Sequence, residues 1–104
     1  MAYSLEQLVN AFMVLSVRAS RGEDIAADLE KAVAHVAMTV KAAAPSAWQE
    51  EAKKVRGKLK FTLATLEVPE PLFPNKLTDP ANIAQCAFYR QAIAQLDAVV
   101  ASAG

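Results

Sequence analysis

Apolar residues recur every three or four positions along most of this chain, and the places where that rhythm stops divide it into four helical segments. Leu5, Leu8, Phe12, Leu15 and Ala19 keep helical spacing, and Val9, Met13 and Val17 widen the stripe. Ahead of them, Ser4-Leu-Glu-Gln7 has the capping-box pattern, an N-cap hydroxyl with Gln three residues on. Arg18 and Arg21 suit the negative pole at the other end, and Gly22 suits the left-handed residue that follows a helix. A first helix is predicted over roughly 4–20. Phe12, Met13, Val14 and Leu15 are consecutive, so they cannot all face one way. Such a helix is either central in a bundle or part of an oligomer interface.

Glu23 and Asp24 supply acid at the next helix start, where the macrodipole favours it. Ile25, Leu29, Val33, Val36 and Val40 form the stripe of a second helix, predicted over roughly 24–43 and ended by Pro45. A second capping box, Ser46-Ala-Trp-Gln49, opens a third helix with Glu50 and Glu51 in its first turn. Trp48, Ala52, Val55, Leu59, Thr62 and Leu66 share its face. Residues 58–66 also alternate in the manner of a strand, and Gly57 weakens the helix ahead of them. Helix is the preferred reading, because a lone strand has no pairing partner elsewhere in the sequence.

Between Glu67 and Pro80 neither period survives. Pro69, Pro71, Pro74 and Pro80 are four of the five prolines. Each fixes φ, removes an amide donor and pushes its predecessor out of the α region. Val68, Leu72, Phe73 and Leu77 are interleaved with them, which is more apolar character than a plain linker requires. Connections this long inside a compact domain are uncommon. Asp79-Pro80 then reads as N-cap and first residue of a fourth helix. Cys86, Tyr89, Ile93, Leu96 and Val100 form its stripe. A second face, Ala84, Ala87, Gln91, Ala94, Ala98 and Ala101, suits the close approach of another backbone. The expected fold is all-α: residues 1–104 form a single helical domain, a compact four-helix arrangement with one long Pro-rich crossover between helices 3 and 4.

Twenty-two of the 104 residues are alanine, so many buried contacts must be alanine contacts. Eleven basic and eleven acidic residues balance to a formal +0. No global field then draws nucleic acid or an anionic membrane, and little keeps copies of the chain apart. The first residues lack the basic region of a signal peptide, and the longest near-apolar run, Ala11 to Val17, is too short to span a bilayer. A cytoplasmic protein without a membrane partner is expected.

Candidate chemistry is sparse. His35 is the only histidine, and it shares a helix edge with Asp28, Lys31, Met38 and Ala42, beside the core stripe. Cys86 is the only cysteine, so no intrachain disulfide and no cysteine-based metal framework can form. Its place on the core stripe predicts a buried, inert thiol. His35 and Cys86 together would be the minimum for nucleophilic catalysis, but nothing in the spacing sets them side by side. The acids Glu23, Asp24, Asp28 and Glu30, and again Glu50 and Glu51, lack the Glu-x-x-His spacing of a di-metal bundle. With Gly22, Gly57 and Gly104 as the only glycines, no phosphate-binding loop is available. No catalytic residue, metal or cofactor is expected, and the chain reads as a non-enzyme.

Lys53, Lys54, Arg56, Lys58 and Lys60 hold five of the eleven cations within eight residues. Read functionally, Lys53, Lys54, Arg56 and Lys60 are a basic patch for phosphates, with Phe61 beside it for stacking. The preferred reading is a solvated face balanced within the chain, in which Glu50 pairs with Lys54 and a helix hairpin brings Lys58 and Lys60 towards Asp28 and Glu30. Pro71-Leu-Phe-Pro74 is a bare P-x-x-P without an adjacent basic anchor. Leu72, Phe73 and Leu77 either cap the end of the bundle or bind a partner. The leading expectation is a small non-catalytic protein–protein interaction module (a regulator, inhibitor or assembly adaptor) that self-associates as a homodimer. Its candidate partner-binding residues are Leu72, Phe73 and Leu77. The alternative is a nucleic-acid-associated protein using the basic face of helix 3.

Overall fold

A computed structural model describes residues 3–102; Met1 and Ala2, part of the segment read for a signal peptide, lie outside them. The order of elements is α1 (Leu5–Ser20), α2 (Ala26–Ala43), α3 (Trp48–Glu67), a 3-10 turn (Lys76–Thr78) and α4 (Pro80–Ala101). The fold is all-α, a four-helix arrangement with one long crossover between α3 and α4. Among the described residues the only extended pairing is an isolated bridge between Glu70 and Phe73.

Local chemistry sets the helix ends. Ser4 caps α1, its Oγ accepting from the Gln7 amide at 3.3 Å. At the exit Gly22 takes φ +84°, its amide bonds the Ala19 carbonyl at 3.0 Å, and the Glu23 amide bonds the Arg18 carbonyl at 3.2 Å. That pair of bonds is a Schellman closure, and its left-handed residue is strained for anything but glycine. Arg18 then reaches forward to Glu23 and to Asp28, both at 3.1 Å, tying the end of α1 to the first turn of α2. Because the closure uses residues 22 and 23, α2 begins two residues later than its acids suggest. Ile25 takes the cap position without a side-chain bond, and Asp24 just ahead of it accepts from the Ala26 amide at 3.1 Å.

The second capping box is not formed. The Ala47 amide bonds the Ala44 carbonyl at 3.0 Å, closing a tight turn with Pro45 at its second position. Ser46 is consumed by that turn, and α3 starts behind Ala47 with no side-chain cap. Lys41 packs at the same corner, its ammonium lying 4.5 Å from the centre of the Trp48 ring. From Trp48 the helix runs unbroken through Gly57 to Glu67, which resolves residues 58–66 as helix. Val55 and Leu59 on either side of Gly57 are fully buried, and that burial outweighs a propensity cost of about 1 kcal/mol. A Cβ at residue 57 would meet no atom within 4 Å. Gly57→Ala is therefore expected to raise stability by about 0.5–1 kcal/mol, read as a higher urea midpoint with an unchanged slope.

Cross-bundle contacts give the topology. Gln49 of α3 donates to the Val100 carbonyl at 3.2 Å, Arg56 pairs with Asp97, and Asn82 donates to the Leu66 carbonyl at 3.1 Å. The pairs run in opposite directions, so α3 and α4 are antiparallel. Tyr3, just before α1, lies beside Glu51 near the start of α3, which sets α1 parallel to α3. The result is an up-down-up-down bundle. Phe12, Leu29, Val36, Val40, Val55, Leu59 and Leu96 are its wholly buried large side chains. One polar pair is buried with them: Ser16 Oγ donates to the Met13 carbonyl at 2.7 Å and accepts from Tyr89 at 3.3 Å. On α4 the buried set adds Phe88 and Ala92 to the expected stripe, Phe88 standing edge-on to Tyr89 at 5.4 Å. That extra bulk rotates the alanine face outward, and Ala87, Ala94, Ala98 and Ala101 are exposed.

Candidate functional site

The crossover folds as a chain of turns dictated by its prolines. Proline presets φ for the second position of a β-turn. Pro71 holds that position in a turn closed by the Phe73 amide on the Glu70 carbonyl at 3.0 Å. Pro74 holds it in the next, closed by the Lys76 amide on the Phe73 carbonyl, also at 3.0 Å. The 3-10 turn follows, and Asp79 caps α4 by accepting from the Ala81 amide at 3.1 Å, with Pro80 at the first helical position.

What fastens these turns to the bundle is Lys76. Its Nζ donates to the Thr65 carbonyl at 3.0 Å and the Val68 carbonyl at 2.8 Å, and pairs with Glu70 at 3.1 Å. The side chain is only 16% exposed. Helix α3 ends without a glycine and has no basic residue in its last turn, so its terminal carbonyls lack the usual partners. Lys76 and Asn82 supply them from the far side of the loop, and Arg90 pairs with Glu67 beside them.

Pinned from beneath, the loop turns its apolar residues outward. Leu72 is 86% exposed, Phe73 62% and Leu77 44%. They stand in solvent rather than under the end of the bundle. Leu72, Phe73 and Pro74 form one wall of an open groove of about 820 Å³, and Pro80, Ala81, Asn82 and Gln85 of α4 form the other. The opposite side of Phe73 faces a smaller hollow with Pro69, Pro71 and Leu77.

The basic run on α3 is divided by the helix that carries it. Lys53 pairs with Glu50 at 3.4 Å and Lys54 with Glu51 at 2.9 Å, each one step closer in sequence than the expected Glu50–Lys54 pair. The Lys54 hydrogen bond holds the Glu51 carboxyl below its ordinary range. Arg56 leaves the strip altogether: it bonds Asp97 of α4 at 2.7 Å, and its Nε is buried without a partner. Lys58 and Lys60 have no ion pair among the described residues, and Asp28, expected opposite them, pairs with Arg18 instead.

His35 is exposed on α2, whereas Cys86 is buried on α4, and no hydrogen bond joins them among the described residues. Burial, and then the charge of Glu67, pushes the Cys86 thiol above its ordinary range, which keeps it protonated and a poor nucleophile. Among the described residues no group of three or more His, Cys, Asp or Glu side chains converges as a metal site, and no helix is long and apolar enough to cross a membrane. No protein-family model matches the chain, and no curated protein or solved structure matches it significantly.

Proposed function

We propose that this bundle is a non-catalytic protein–protein interaction module, a regulator, inhibitor or assembly adaptor, that contacts its partner through the α3–α4 loop and also self-associates. The observation that carries the reading is the exposure of Leu72 and Phe73 on a loop that Lys76 and two proline turns hold in place. Large apolar side chains held in water are costly unless something covers them, and contiguous exposed apolar patches mark contact sites. A loop already ordered before binding loses less entropy when a partner arrives. A single unpaired cysteine suits a reducing compartment, and we assign the protein to the cytoplasm.

Changing Leu72 and Phe73 together to alanine tests this. Captured from a lysate of the native host, the partner should be held at least about tenfold more weakly by the variant. The melting curve should barely move, because exposed positions change stability by only about 0.5 kcal/mol. An identical set of captured proteins for both chains would sink the loop as the contact surface.

A further inference from the structure

The outward face of α1 is complementary to itself. Glu6, Asn10, Met13, Val14, Val17 and Arg21 lie on one side of the helix, opposite Leu8, Phe12 and Leu15, which enter the core. Met13 is 50% exposed, Val14 59% and Val17 38%, and a shallow apolar hollow of about 480 Å³ lies along them. An acid stands at one end of the stripe and a base at the other. Glu6 and Arg21 are both exposed, and neither has an ion-pair partner among the described residues. Glu6 shares a hollow with Lys58 without pairing to it, and Arg18, at the edge of the stripe, is already held by Glu23 and Asp28.

Deepening the self-association proposed above, and resting on it, we infer that α1 is the contact face of a symmetric homodimer. In that dimer two copies of the helix pack antiparallel about a two-fold axis between Met13 and Val14. Reversing the stripe sets Glu6 against Arg21, Asn10 against Val17 and Met13 against Val14, each pair occurring twice, as a two-fold interface requires. A parallel pairing would instead put Glu6 on Glu6 and Arg21 on Arg21, so charge selects the antiparallel register. The alanine face of α4 is also exposed, with Ile83 and Gln91 on it, but its nearest charges, Arg90 and Asp97, are already paired with Glu67 and Arg56, so none is left to select a register. Six side chains along about 22 Å of helix fall short of the ~20–30 residues a side of a standard interface, so the dimer is a weak one and salt weakens it further.

Sedimentation equilibrium of the full chain, from micromolar to millimolar concentration at low salt, decides the matter. The wild type should show a monomer–dimer equilibrium within that range. Glu6→Arg and Arg21→Glu should each weaken it on the order of tenfold, and the double exchange should restore it. Val14→Glu should leave only monomer. All three positions are exposed, so melting curves should confirm that each variant is folded. A wild type that stays monomeric, a dimer that survives Val14→Glu, or a double exchange as weak as either single change overturns the inference. A monomer that still captures its partner through Leu72 and Phe73 overturns the dimer alone, and a dimer with no such partner overturns the loop reading alone.

Discussion

Replacing Phe12 with alanine is expected to lower the unfolding free energy by about 3–5 kcal/mol, the cost of removing a large aromatic side chain from a packed interior. Phe12 is wholly buried, and it is the largest side chain that α1 contributes to the core. Its neighbours in sequence behave differently. Met13 and Val14 stand on the opposite face and are at least half exposed, so Val14→Ala should change stability by only about 0.5 kcal/mol. A domain of this size holds about 5–15 kcal/mol in total, so the Phe12 variant should lose a large share of its stability while the Val14 variant melts like the wild type. Urea unfolding of the two chains measures the difference. A loss below about 1 kcal/mol at Phe12 would mean that the site collapses around the deletion, contrary to the close packing of the bundle.

The contrast between Phe12 and its neighbours also shows how much of the fold was legible. Helical periodicity names the buried face whenever one stripe is clearly bulkier, as with Leu29, Val33, Val36 and Val40 on α2. End signals were readable where the cap acts on its own helix: Ser4, Gly22 and Asp79 each make the contact that their sequence position implies. Ser46 failed because a proline turn, closed by the Ala47 amide on the Ala44 carbonyl, takes the same residues. On α4 apolar residues occur on every side, so spacing alone could not say that Phe88 and Ala92 turn inward and the alanine ridge outward.

The candidate site was legible in composition but not in placement. Its prolines announce turns, yet an apolar residue between them is equally suited to cap a core or to face water. That choice is made by Lys76, which reaches back across eight and eleven residues to the end of α3. One signal was available: α3 ends with neither a glycine nor a basic last turn, so its carbonyls had to find a donor elsewhere. The basic run was legible in the same partial way: pairing within the chain was expected, but not the partners. Closeness in sequence suggested one strip, but the helix aims Arg56 at Asp97 and away from its neighbours.

Lys76→Met should therefore release the loop while leaving the bundle folded. The methionine keeps most of the apolar stem but removes the ammonium, leaving the Thr65 and Val68 carbonyls without their donor. A bond from a charged donor is worth more than a neutral one, but Thr65 and Val68 are both exposed and water can replace part of it, so an expected loss of about 1 kcal/mol follows. The ion pair with Glu70 adds little to that figure, because the carboxylate is 47% exposed and screened by solvent. Hydrogen exchange locates the effect. The amides of Phe73 and Thr78, which close turns on either side of Pro74, should exchange much faster in the variant, while core amides such as those of Val55 and Leu59 should speed up by no more than the fall in global stability allows. Partner binding should weaken as well, although Leu72 and Phe73 are unchanged, because the loop must then be ordered at the moment of contact. Turn amides that exchange as slowly as in the wild type would show that the prolines alone hold the loop and that Lys76 is dispensable to it.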